Sequence, residues 1–168
     1  MIHHDLGHWP LVLTVAHGPV TRADYIGLLN EWNGWLDRGE RFATLRVFAD
    51  GEALAHPEGA ARDARAWLQA NAGRIRAQVV GMATSVPAEH LERMRRMNAE
   101  QLFGVPAQVF GDIDAALGFL DWLIAPAHDG CWDRAAIRAS AGALVRQSLS
   151  RENVPVEINP PARARRPM

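Results

Sequence analysis

Between Arg76 and Phe110 the chain spells out a unit that cannot stand alone. Residues 77–86 predict a strand, residues 87–104 a helix opened by Pro87 and closed near Gly104, and residues 106–110 a second strand. Two strands joined through a helix run parallel, and the helix buries only one face of the pair. The flanking segments must therefore complete one sheet and its helical cover.

They have the right pattern. Residues 11–16 form a short apolar run with Val12, Leu13 and Val15, ended by Gly18 and Pro19, which favours a strand over a helix. Thr21, three residues before Asp24, has the spacing of an acidic capping box. From there Tyr25, Leu28, Leu29, Trp32, Trp35 and Leu36 recur at three- and four-residue intervals up to Gly39, which marks a core-facing helix. Residues 42–48 return to strand chemistry with Phe42, Leu45, Val47 and Phe48. The next helix places Ala61, Ala64, Trp67 and Leu68 inward, Arg62, Asp63 and Arg65 outward, and ends near Gly73.

In the central unit Val79, Val80, Met82 and Val86 supply apolar faces, and Gly81 permits a close approach. Leu91, Met94, Met97 and Leu102 read as the inward side of its helix, with Arg93, Arg95 and Arg96 as a basic outer cluster. Asp112 caps a last helix whose buried stripe is Ile113, Ala116, Leu117, Leu120, Leu123 and Ile124, before Pro126. The expected fold is α/β, a mainly parallel sheet of about four to five strands covered by helices.

The 168 residues suit one domain, and 48% apolar with 22% charged residues is ordinary for a soluble globular chain. A net charge of -1 supplies no global field for nucleic acid or anionic lipid, and neither is expected as a partner. All basic residues are arginine, which reads as a codon bias before it reads as selection for bidentate pairing. Cys131 is the only cysteine, so neither an intramolecular disulfide nor a multi-cysteine metal site can form. The opening has no signal-peptide pattern, and no run reaches the length of a membrane span; the expectation is a cytoplasmic protein.

Several positions carry chemistry. His3, His4 and His8 lie close enough in sequence to suggest a metal, but no acidic or cysteine ligand stands at a matching spacing, and a surface strand is the stronger reading. Trp32, Trp35 and Trp67 are either core or a stacking platform for a ligand. Thr84, Ser85 and the amides after Pro87 lack the glycine-rich cradle of a phosphate site. Residues 50–59 follow the carboxyl end of a strand and precede a helix, where open α/β sheets place their sites. The polar groups there are Asp50, Glu52, His56 and Glu58, followed by Arg62 and Arg65 on the helix. No nucleophile stands beside His56, so the loop reads as a binding surface with no catalytic residue and no cofactor.

The segments PLVLTVAHGPVTRADY, TLRVFAD, AQVVGMA and PAQVFGDIDAALGFLDWL together resemble the STAS-like superfamily, in particular its SpoIIAA-like branch, which is itself similar to Sec14-type lipid-binding domains. The resemblance spans roughly residues 6–124. It implies a small cytoplasmic module that binds a partner protein, in some members under control of a phosphorylated serine or threonine in the loop that matches residues 50–59. That loop, DGEALAHPEG, holds neither residue. Glu52 or Glu58 would then supply a permanent charge, a weak imitation of phosphate.

Past Pro126 the composition shifts. Residues 127–168 hold seven arginines and four acids, against eleven and fifteen in residues 1–126. The boundary divides a STAS-like domain, 1–126, from a C-terminal appendage, 127–168. In the appendage a helix over 132–150, with Trp132, Ala136, Ile137, Ala143 and Leu144 on one side, precedes a Pro/Arg-rich tail. Residues 127–150 read as a homodimer arm, a partner-binding helix or a passive tail, and Cys131 as idle or as a reactive thiol. The leading expectation is a non-enzymatic regulatory or scaffold module docking a partner through Asp50, Glu52, His56, Glu58, Arg62 and Arg65. The alternative is a small-molecule or lipid carrier with Trp32, Trp35 and Trp67 about its pocket.

Overall fold

A computed structural model describes residues 1–124 and 132–152, the side chains of residues 148–152 excepted. The described residues form one sheet of five strands, β1 (Ile2–Asp5), β2 (Leu11–Ala16), β3 (Phe42–Phe48), β4 (Val79–Ser85) and β5 (Ala107–Phe110). The strands lie in sequence order; β1 pairs antiparallel with β2 and the other pairs are parallel. Six helices accompany them: α1 (Arg22–Asp37), α2 (Ala60–Gln78), α3 (Leu91–Arg95), α4 (Ala99–Phe103), α5 (Ile113–Ile124) and α6 (Arg134–Glu152). None of the described helices is long and apolar enough to cross a membrane.

Side chains alternate across a strand, so β2 sends Leu11, Leu13 and Val15 to one face and Val12, Thr14 and Ala16 to the other. On the first face these residues meet Ala43, Leu45, Val47 and Ala83, and are sealed by Ala116, Leu117, Leu120 and Ile124 of α5 and Ile137 and Ala141 of α6. On the second face Val12, Phe42, Val79 and Met82 pack under Trp32, Trp35 and Leu36 of α1 and Ile75 of α2, with Phe103 of α4 against them. Each leucine or isoleucine buried in this way contributes about 1.5–3 kcal/mol.

The helix expected over 132–150 forms, and it enters the core instead of standing off it. Ile137 is fully buried beside the β2 leucines, and His8 Nε2 meets Ser140 Oγ at 2.9 Å. Arg134 pairs with Asp121, and Arg138 with Asp114 at 3.3 Å, so α6 is also tied to α5. The inward positions are Ile137 and Ala141, four residues apart. Residues 127–131 of the expected dimer arm, with Cys131, and the Pro/Arg-rich tail from residue 153 lie outside the described residues.

Two helix boundaries differ from expectation. α2 does not stop at Gly73 but continues to Gln78, so β4 starts at Val79 and not at Ala77. A glycine inside a helix costs about 1 kcal/mol relative to alanine. Here the turn beyond it buries Ile75 completely and brings Arg74 to Asp37 of α1, which outweighs that cost. Ala61, expected inward, is exposed, while Ala60, Asn71 and Ile75 face the core.

The single helix expected between β4 and β5 is broken into a 3-10 turn (Ala88–His90), α3 and α4. Asn98 starts α4 afresh by accepting the Gln101 amide at 3.0 Å. The restart rotates the apolar stripe, so Met97 and Leu102 are not inward but 52% and 60% exposed. Phe103 takes the inward place in α4.

Candidate functional site

Strands β2 to β5 are parallel and finish at one edge of the sheet, where α1, α2 and α5 begin. Thr21 caps α1 reciprocally with Asp24, and that bonding holds the Asp24 carboxyl below its ordinary pKa. Gly59, at φ +81, makes the left-handed turn into α2. Arg22 crosses from α1 to Asp63 of α2, with Nε at 2.9 Å from one carboxylate oxygen and Nη2 at 3.3 Å from the other. Beside this clamp an open groove of about 560 Å³ is lined by Arg22, Glu58, Gly59 and Arg62.

The expected docking residues divide in three. Asp50 serves the scaffold: its oxygens accept the Gly18 amide at 2.8 Å and the Ala53 amide at 2.9 Å, joining the loop after β2 to the loop after β3. Glu58 and Arg62 come together in the groove. Glu52, His56 and Arg65 are exposed, and the His56 ring lies 6.3 Å from Tyr25 of α1. The loop thus offers both charges on a surface whose backbone is pinned from below.

The tryptophans occupy one another. Trp32 meets Trp35 at 5.2 Å, Phe42 at 5.9 Å and Trp67 at 5.8 Å, and Trp67 Nε1 donates to Asn33 Oδ1 at 2.8 Å. Trp32 and Trp35 are buried and Trp67 half-buried. The rings expected around a carrier's pocket are therefore packed against one another between α1, α2 and β3.

The three histidines turn to different neighbours. His3 stacks on His17 at 5.6 Å, His4 Nδ1 meets Thr14 Oγ1 at 3.0 Å, and His8 lies between Ser140 and Asp5. Among the described residues no three histidine, aspartate or glutamate side chains converge as metal ligands would. Of the basic cluster, Arg95 donates to the Val109 carbonyl at 3.3 Å and stands 3.6 Å from Glu92.

One constellation escapes a local reading of the sequence. The sheet register aligns His4 with Thr14, Thr14 with Arg46 and Arg46 with Thr84, so four polar side chains from four strands form a row on the second face. Thr14 and Thr84 are each 5% exposed. Burial depresses the His4 pKa below 6.5, opposed by Glu31 and assisted by His3. Arg46 is densely surrounded, and burial lowers its pKa against the opposing effect of Tyr25. The Tyr25 phenol is pushed up by burial, with Arg46 pulling it down and Asp63 pushing it up.

A signal for this row does exist in the sequence. Strands covered on both faces should read as nearly continuous apolar runs, and Thr14, Arg46 and Thr84 each interrupt one. Comparison with protein-family models, with curated proteins and with solved structures finds no match.

Proposed function

We propose that the chain is a non-enzymatic regulatory or scaffold module, of the STAS-like kind and cytoplasmic, that docks a partner protein on the α1–α2 groove. The observation that carries this reading is the groove itself, where Arg22, Glu58 and Arg62 surround an open concavity at the carboxyl edge of a parallel sheet. Its support is rigid: Asp50 fastens the two loops beneath it and the Arg22 clamp joins the two helix starts. Opposite charges side by side favour a partner with the complementary arrangement, and such patterns set orientation and association rate as well as affinity. Glu58 supplies a fixed negative charge in a loop that has no hydroxyl to phosphorylate.

Native mass spectrometry of the protein purified gently from its own host tests the reading, with wild type compared to the double variant Glu58→Arg, Arg62→Glu. A stoichiometric polypeptide should accompany the wild type and be lost from the variant, and the purified pair should bind at least about tenfold more weakly when the charges are reversed. The variant Arg93→Glu, on the exposed side of α3, should retain the polypeptide. A partner held equally by the groove variant, or a small mass retained without a polypeptide, would overturn the proposal.

A further inference from the structure

Arg46 lies on a central strand of a sheet covered on both faces, yet no carboxylate pairs with it among the described residues. A guanidinium carries five N–H donors in a fixed fork and stays charged at neutral pH. Here the hydrogen bonding is sparse. Nη2 reaches Thr84 Oγ1 at 3.4 Å, at the long end of the range, and Nε is buried with no acceptor. The guanidinium carbon stands 5.7 Å from the centre of the Phe103 ring. Two residues back on the same face of β3, the Thr44 hydroxyl is also buried with no partner.

Buried polar groups are normally satisfied, and a buried charge is normally paired. An unpaired guanidinium beside orphaned hydroxyl capacity is an arrangement that an anion completes. Arg46 as a residue is half-buried, not sealed, and its neighbour Phe103 of α4 is half-buried too. The chemistry selects the anion. One guanidinium balances one negative charge, and a carboxylate matches its fork with two parallel hydrogen bonds. A phosphate dianion would bring one charge too many to a place where no second cation bonds the row. The Phe103 ring beside the guanidinium suits an apolar body.

We propose that Arg46 and Thr84 receive the carboxylate of a small organic acid, with the Phe103 ring beside its apolar body. This site is distinct from the cluster of Trp32, Trp35 and Trp67, and it does not rest on the partner-docking reading.

The test is a titration of the full chain, labelled with nitrogen-15, with benzoate and with octanoate, following the Arg46 Nε–H resonance assigned through the backbone of the wild type. Either acid should move that resonance saturably with a millimolar or tighter dissociation constant. At about ten times that constant it should raise the melting temperature by a few degrees. Arg46→Met should lose the thermal shift, and Arg46→Lys, which keeps the charge without the fork, should bind about tenfold more weakly. Benzamide and inorganic phosphate should leave the resonance in place. No saturable movement with either acid up to about 20 mM, an equal response to benzamide, or a response to phosphate alone would overturn the assignment.

Discussion

The two faces of the sheet are built from the same strands to opposite rules. Under α5 and α6, Leu11, Leu13, Val15, Ala43, Leu45, Val47 and Ala83 form an apolar cluster, and the polar residues that the register sets on this side, His3 beside Val15 and Ser85 beside Val47, lie at its margins. Under α1, α2 and α4, the alternate residues of those strands include Thr14, Thr44, Arg46 and Thr84, with Trp35 Nε1, Thr44 Oγ1 and Arg46 Nε all buried without a partner. Strands β2, β3 and β4 therefore give one side mainly to apolar packing and place polar groups on the other. The unpaired guanidinium on this face is what the proposed carboxylate would satisfy.

Four substitutions press on that contrast. The largest effect belongs to the apolar face: Leu120→Ala, in a fully buried position against the strands, should cost about 2–5 kcal/mol in urea denaturation. A cost below about 1 kcal/mol would mean that this face is loosely packed. Next, Val15→Thr places an unpartnered hydroxyl in the same cluster and should cost about 1–3 kcal/mol. The mirror change on the other face, Thr44→Val, removes a hydroxyl that already lacks a partner and should be neutral or stabilising by up to about 1 kcal/mol. Equal losses from Val15→Thr and Thr44→Val would erase the distinction between the faces.

The smallest effect is a pH dependence at the end of the polar row. Burial is the main cause of the low His4 pKa in the folded protein, so the unfolded chain, with its ordinary value near 6.5, takes up the proton first as pH falls. His4 therefore contributes stability that is complete above pH 6.5 and declines as pH falls from there through the folded value. His4→Asn should flatten part of that decline between pH 8 and pH 5, read as a change in the slope of stability against pH. An unchanged slope would place the proton uptake elsewhere.

Much of the fold was legible because its signals are local. The Thr21 and Asp24 cap, the α1 stripe ending before Gly39 and the α5 stripe from Ile113 to Ile124 each lie within one window of sequence, and each forms as expected. Where local signals were overruled, a distant contact did it. Gly73 reads as a helix end until Ile75 finds the core and Arg74 finds Asp37. Met97 and Leu102 read as inward until Asn98 restarts the helix. Glu58 and Arg62 were visible as a mixed-charge loop and helix start, but Arg22, which completes their groove, comes from a different helix. The polar row was legible only in pieces for the same reason: Thr14, Arg46 and Thr84 each interrupt an apolar run, but they meet only when the register sets Thr14 on one side of Arg46 and Thr84 on the other.

The most direct measurement is the urea stability of Arg46→Met against wild type, in buffer free of organic acids. An apolar side chain of similar length in place of a half-buried guanidinium with no carboxylate partner should leave the protein as stable as wild type or more stable by up to a few kcal/mol. A loss of about 3 kcal/mol or more, the signature of breaking a satisfied buried pair, would mean that Arg46 already has its counter-charge within the chain, and would contradict the reading of this face as a site awaiting its ligand.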